Sequence, residues 1–235
     1  MIRTVLCFAA MLGIWPNAAV AATTSDAELL AEHLLLAIGG RPAWAGVTST
    51  VLYSDQYRKS DGTAVGAVSM SDYERSRLRI DTTGANLQQI RIVDSTGDRS
   101  WRVDRQGRLE KVAEDSMARD LRRYTGHVYR TLQRIAARDP KLRLATGSNG
   151  SLEVHEGGTR IAWYLVDTRG EPYSMGAYDD NVGVICGPWE LQQRGIRYPL
   201  WVSRPDGSWR ATLKSLAVNT HIDEKLFTPA LAADQ

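Results

Sequence analysis

Few residues in this chain have the types and spacing that covalent chemistry needs. The four histidines are His33, His127, His155 and His221, and no two are paired at i, i+4 spacing, so no helical metal site is expected. His155 and Glu156 stand beside Gly157-Gly158. On a strand their side chains point to opposite faces, which opposes joint ligation and favours a solvated hairpin end. Asp179-Asp180-Asn181 offers the oxygen ligands calcium takes, but it lacks the glycine and distal glutamate of an EF-hand loop and reads as a hairpin turn. Cys186 lies in an apolar run with Val182, Val184 and Ile185, which suits a buried strand cysteine better than a nucleophile. G-x-S-x-G, H-E-x-x-H, G-x-G-x-x-G and Walker A patterns are absent. Dispersed carboxylates could pair as in a glycosidase, but nothing in the sequence supports that. No catalytic residue, metal or cofactor is expected, and the protein is read as a non-enzyme.

The chemistry the sequence does carry is non-covalent. Met117, Leu121, Tyr124, Val128, Leu132 and Ile135 form an apolar helical stripe. Arg119, Arg122, Arg123, Arg130, Arg134 and Arg138 lie off that stripe, with Asp120 and Asp139 as the nearby acids. A guanidinium fork binds phosphate and carboxylate bidentately. Such a face docks on anionic head groups or an acidic partner, or is simply solvated.

The elements that must position these groups follow from periodicity. Ser25 and Glu28 make a capping box, and Leu30, Ala31, Leu34 and Ile38 lie on one face of a helix that Gly39-Gly40 stops. Arg41 to Trp44 reads as a connecting turn. From Val47 the period changes to two. Turn signals then recur, Asp61-Gly62, Gln106-Gly107, Asn149-Gly150 and Asp206-Gly207 among them. The runs between them, such as Gln89–Val93, Trp101–Asp104, Thr159–Asp167, Ile196–Ser203 and Trp209–Val218, predict an antiparallel meander rather than a doubly wound parallel sheet. The helical stripe interrupts the meander. Gly126 is placed to divide it, and Asp139-Pro140 ends it.

Several strands are apolar on both faces. Ile161, Trp163 and Leu165 alternate with Ala162, Tyr164 and Val166, and Tyr198, Leu200 and Val202 alternate with Pro199 and Trp201. Two explanations stand. Protein covers both faces, or a curved sheet takes an apolar ligand on one face with the helices as a lid.

Composition narrows the class. Of 235 residues 43% are hydrophobic and 24% charged, which excludes a disordered chain. Lys and Arg total 29 against 27 Asp and Glu, so the basic excess of a nucleic-acid binder is missing. Cys7 and Cys186 are too few for a disulfide scaffold or a zinc ribbon. Met1-Ile2-Arg3, the apolar run Thr4 to Ile14 and Ala19-Val20-Ala21 read as a secretory signal peptide, residues 1–21, cleaved near Ala21. A single domain over 22–235 and a periplasmic location are expected, without a membrane span.

The order of features resembles the periplasmic outer-membrane lipoprotein carrier superfamily (LolA/LolB-like), in a less characterised form. The resemblance is carried by Ala37-Ile38-Gly39-Gly40, by Ala43-Trp44-Ala45-Gly46-Val47 and by Tyr198-Pro199-Leu200-Trp201-Val202. The closing phrase Asn219, Ile222-Asp223, Leu226-Phe227 and Pro229 adds to it. It implies a mainly β (α+β) fold: a curved antiparallel half-open β-barrel of about eleven strands, with an N-terminal helix and a helical lid. It also implies a carrier that shields a lipid, or the acyl chain of a lipoprotein, in a hydrophobic cavity. The cavity wall is expected from Val51, Tyr53, Ile90, Ile92, Trp101, Val103, Trp163, Leu165, Leu200 and Leu213. The lid is expected from Met117, Leu121, Tyr124, Val128 and Leu132. Arg119, Arg122, Arg123, Arg130 and Arg134 are expected to meet a head group or a partner. The Arg-rich lid, the frequent Trp and the long stretch between Tyr173 and Arg194 depart from a minimal carrier. They keep open an envelope sensor or scaffold that binds another protein.

Overall fold

The structure is a computed structural model that describes residues 25–229 apart from 86, 98, 111 and 179. The expected signal peptide lies outside the described residues. Helix α1 (Asp26–Ala37) begins where the Ser25 hydroxyl accepts the Glu28 amide, and α2 (Arg41–Ala45) follows. The expected turn at Arg41 to Trp44 is thus a short helix, because Pro42 sits in its first turn, where no amide is required.

Six strands come next: β1 (Ser49–Arg58), β2 (Thr63–Asp72), β3 (Arg77–Gly84), β4 (Gln88–Asp94), β5 (Arg99–Val103) and β6 (Leu109–Glu110). The helical stripe forms α3 (Glu114–Thr125) and α4 (Val128–Ala136), divided at Gly126. The second run holds β7 (Leu142–Thr146), β8 (Leu152–Glu156), β9 (Thr159–Val166), β10 (Pro172–Gly176), β11 (Val184–Cys186), β12 (Leu191–Gln193), β13 (Ile196–Tyr198), β14 (Trp201–Ser203) and β15 (Trp209–Val218). A single 3-10 turn, Glu224–Phe227, comes last.

Thirteen strands form one antiparallel sheet in the order β6-β5-β4-β3-β2-β1-β15-β14-β11-β10-β9-β8-β7. The sheet is open, ending at β6 and β7, and with its helices it is the expected half-open barrel, built from thirteen strands rather than about eleven. The last long strand pairs with the first, β15 with β1, so the two runs join in the middle. The expected run Ile196–Ser203 is corrected. Pro199 has no amide to donate, and the chain leaves the β12-β13 pair there to enter the large sheet as β14.

Register separates the faces. Thr50, Leu52 and Ser54 of β1 oppose Val218, Leu216 and Leu213 of β15. The same face continues through Ser71, Leu78 and Val93 on one side, and through Ala211, Val202 and Cys186 on the other. This is the inner face. Over β7 to β11 it is filled by Leu34, Leu35, Trp44, Tyr129, Leu132 and Trp189 from the helices and loops. The outer face is covered over β4 and β5, where Ile92 and Val103 pack under Phe227 with Ile90, Trp101 and Ile222 around them. Arg79 ties this cover down, donating from Nη1 to the Leu226 carbonyl at 2.8 Å.

Candidate functional site

The candidate site is the α3–α4 cover and the sheet beneath it. The two helices are held differently. In nine residues α4 buries six, Tyr129, Thr131, Leu132, Arg134, Ile135 and Ala136, against α1, α2 and the main core. In twelve residues α3 buries two, Asp120 and Tyr124. Its apolar footing is a small separate cluster, Tyr124 and Leu121 on Leu78, Ile80 and Val93.

A polar clasp supplies the rest of the α3 anchorage. Asp120 Oδ2 accepts from Ser100 Oγ at 2.9 Å and from Arg102 Nη2 at 3.1 Å, and Oδ1 faces Arg91 Nε at 3.5 Å. The carboxylate is 4% exposed, whereas Arg91 and Arg102 keep 20% and 24%. Burial holds the Arg91 guanidinium below the ordinary arginine range. Asp120 opposes that shift, while Arg123, Arg102 and Arg119 add to it. Arg91, Arg102, Arg119 and Arg123 thus stand near one another around the single Asp120 carboxylate.

Gly126 fixes the joint between the helices. A Cβ on it would lie 2.5 Å from the Ile161 carbonyl oxygen and 2.9 Å from Ala177 Cβ, so the close approach needs glycine. Around the joint, the Arg130 guanidinium stacks 4.6 Å from the Tyr124 ring centroid. The Tyr124 hydroxyl, Arg130 Nη1 and His127 Nδ1 are all shielded from solvent and bonded to no described group. Burial, with Arg130 and Arg123 nearby, lowers the His127 pKa to about 4, so the ring is neutral at pH 7.

Four of the expected lid residues face the sheet, Leu121 and Tyr124 beneath α3 and Val128 and Leu132 in the main core beneath α4; Met117 is half-buried and belongs to neither cluster. The cationic set divides. Arg119, Arg122 and Arg123 are exposed, and among the described residues no carboxylate lies within ion-pair distance of them or of Arg130. Arg134 is corrected to an internal anchor. It is 7% exposed, reaching Asp139 at 2.7 Å and Glu156 at 2.5 Å, because it points back from α4 over the β8 end.

The expected cavity wall is also corrected, since its residues do not share a face. Ile90, Ile92, Trp101 and Val103 lie on the outer face, under the C-terminal turn. Val51 and Tyr53 lie on that face too, Tyr53 being 46% exposed. Trp163 and Leu165 are on the outer face of β9, where Trp163 Nε1 donates to the Asp180 carbonyl at 2.8 Å. Leu200 is half-buried in the crossing between β13 and β14, and Leu213 alone of the ten faces the helices in the main core. The physical reason is that the C-terminal turn and the loop after β10 cover outer-face apolar residues. Apolar alternation therefore did not mark the inward side.

Sequence reading missed Asp120, Ser100, Arg91 and Arg102 as a set. Their signal was present as the arginines between Ile90 and Ile92 and between Trp101 and Val103. With the apolar residues outward, those arginines point inward. The other candidates resolve as local structure. Asp180 accepts the Val182 and Gly183 amides and pairs with Arg204 at 2.7 Å, a turn; Asp179 lies outside the described residues. Cys186 faces the main core, and burial pushes its thiol up to about 12. Among the described residues no group of His, Cys, Asp and Glu is arranged to hold a metal ion.

Among the described residues, one space that could take a guest, about 690 Å³, is a groove between α1, the end of α4 and β7, lined by Glu28, Glu32, Arg134 and Arg138 with Leu142 and Leu144. A second, about 490 Å³, lies on the outer face beside Tyr53, Val68, Asp81 and Lys214. The third adjoins the joint at Gly126. It measures about 210 Å³ and is lined by Val128, Tyr164, Met175 and Val184. That is below the roughly 300 Å³ at which sites for small organic ligands begin.

The chain matches no protein-family model and no curated protein. A solved structure of a DUF1329 family protein from Desulfovibrio piger is similar to it with a TM-score of 0.40 and 7% identity, covering 87% of this chain and 98% of that one. No helix among the described residues is long and apolar enough to cross a membrane.

Proposed function

We propose that the protein is a periplasmic, non-enzymatic binding protein for a lipid or acylated ligand, of the lipoprotein-carrier kind its sequence resembles, with α3 as a displaceable cover. The observation that carries this reading is the unequal anchorage of the two cover helices. Lifting α3 uncovers Leu78, Ile80 and Val93 on the sheet and Leu121 on the helix, a separate apolar patch, without opening the main core. Binding is by area. Each CH₂ taken from water contributes roughly 0.8 kcal/mol, so a long chain needs no specific polar contact to be retained.

Native mass spectrometry tests this on mature protein prepared without detergent from a Gram-negative periplasm, followed by solvent extraction. An acyl species that leaves on denaturation is the expected result. A clean protein mass with no uptake of added lipid contradicts it.

A second reading rests on Arg119, Arg122 and Arg123, which are exposed and paired with no described carboxylate. They suit an envelope partner with an acidic surface. Reversing Arg122 and Arg123 to glutamate abolishes partner capture under this reading and leaves uptake of an uncharged lipid unchanged.

A further inference from the structure

The geometry points to an anion site on the sheet, formed by Arg91, Arg102 and Ser100. In the closed protein the Asp120 carboxylate fills it, and the phosphate or carboxylate head group of the bound amphiphile takes its place. This rests on the reading that the ligand lies beneath α3.

The site is divided between a rigid and a movable part. Arg91 belongs to β4, which is hydrogen-bonded to β3 and β5 along its length, and Arg102 and Ser100 belong to β5. These three stay in place when α3 moves. Asp120 is on α3 and leaves with it. Once Asp120 has gone, two guanidiniums and a hydroxyl face one patch of the inner face with no carboxylate among them. Opening gives up the contacts of both arginines with Asp120, and an arriving anion restores them, so anion binding favours the open form.

The donors exceed what Asp120 uses. Arg102 Nε is shielded from solvent and hydrogen-bonded to no described group, and Arg91 Nε, equally shielded, meets Asp120 Oδ1 only as a 3.5 Å ion pair without hydrogen-bond geometry. An anion with three oxygens and a charge between one and two engages more of this set than a carboxylate with two. Arg119, Arg122 and Arg123 on the same helix raise the local concentration of anions around the cover. Arg91 in turn lies at the centre of the crowding, beside Arg102, Arg119 and Arg123.

Asp120 and the head group exclude each other from one site. Docked α3 therefore lowers apparent affinity for an anionic ligand, and removing the carboxylate raises it. A ligand without charge gains only from the looser helix.

The test compares wild type with Asp120→Asn, both checked for fold by circular dichroism. The probes are a single-chain acylglycerol phosphate, the uncharged monoacylglycerol of the same chain length, and inorganic phosphate alone, each measured by calorimetry. The expected result is a gain of tenfold or more for the phosphate-headed lipid and less than threefold for the uncharged one. Adding Arg102→Gln to Asp120→Asn abolishes the difference. Equal gains for both lipids, or no gain for either, overturn the proposal and leave Asp120 as a simple latch. A head-group preference that survives Arg102→Gln overturns it too, since general surface charge then accounts for it. A gain for inorganic phosphate in Asp120→Asn, with neither lipid bound by either protein, upholds the anion site. It overturns instead the acyl-ligand reading on which the site was placed.

Discussion

Helices α3 and α4 come from one apolar stripe, yet the molecule uses them in opposite ways. α4 is part of the core. Leu132 and Ile135 pack with Leu34, Trp44 and Tyr129, and Arg134 is clamped between Asp139 and Glu156. α3 rests on a small apolar cluster, Tyr124 and Leu121 on Leu78, Ile80 and Val93, and on the Asp120 clasp. Helical periodicity thus measures which side of a helix faces inward, and not how firmly it is held. Firmness comes from what the sheet offers. Beneath α4 it offers Leu152, Val154 and Tyr164; beneath α3 it offers Arg91, Arg102 and Ser100 beside Leu78 and Val93.

The largest expected effect separating the two is in α4. Truncation by Leu132→Ala leaves a cavity in the main core and costs about 3 kcal/mol, whereas Leu121→Ala in α3 costs about 1 kcal/mol, both read by urea unfolding. Similar losses for the two would erase the distinction. Arg134→Ala strands Glu156 and Asp139 without their partner and costs about 3 kcal/mol. Those carboxylates are held below the usual range, Glu156 chiefly by its hydrogen bonds to Arg134, so the loss is present at pH 7 and fades in acid. A penalty that persists unchanged at pH 2 is the contrary result.

A smaller effect on stability, but a larger one on binding, is expected of Leu121→Asp. It leaves the sheet signal in circular dichroism unchanged and sharply lowers acyl-ligand retention in a native-mass measurement. Full retention removes α3 from the site. The smallest change near neutrality concerns His127 at the joint, which faces Arg123, Arg130 and the Tyr129 ring. Its folded pKa, about 4, is below the unfolded value of roughly 6.5. The unfolded chain therefore takes up the proton first, and stability declines as pH falls from about 6.5 to 4. His127→Gln flattens that slope in denaturant titrations; an unaltered slope would place the titrating group elsewhere.

Much of the architecture was legible because it is written in local chemistry. The Ser25 cap, the break at Gly126, and the positive φ of Gly150, Gly157 and Gly207 are where the residue types place them. The closing Asn219, Ile222, Asp223 and Phe227 phrase has a physical basis as well. Asn219 Oδ1 accepts the Thr48 amide at 2.8 Å, Asp223 caps the 3-10 turn, and Phe227 and Ile222 close the outer face. The inward side of β4 and β5 was not legible. Alternation of Ile90, Arg91 and Ile92 fixes two faces but does not say which one the helices meet. That depends on the C-terminal turn, more than a hundred residues later, reaching the apolar side first. The arginine clasp was hidden by that inversion, and Arg134 was indistinguishable in sequence from the exposed arginines beside it.

Amide hydrogen exchange, followed peptide by peptide with and without a phosphate-headed single-chain lipid, distinguishes a hinged α3 from a fixed one. With a displaceable cover, α3 exchanges through local opening well before α4, and the lipid changes exchange in α3, β4 and β5 while α4 and β8 stay as they were. Exchange of α3 and α4 as one unit, indifferent to the lipid, rules out the displaceable cover.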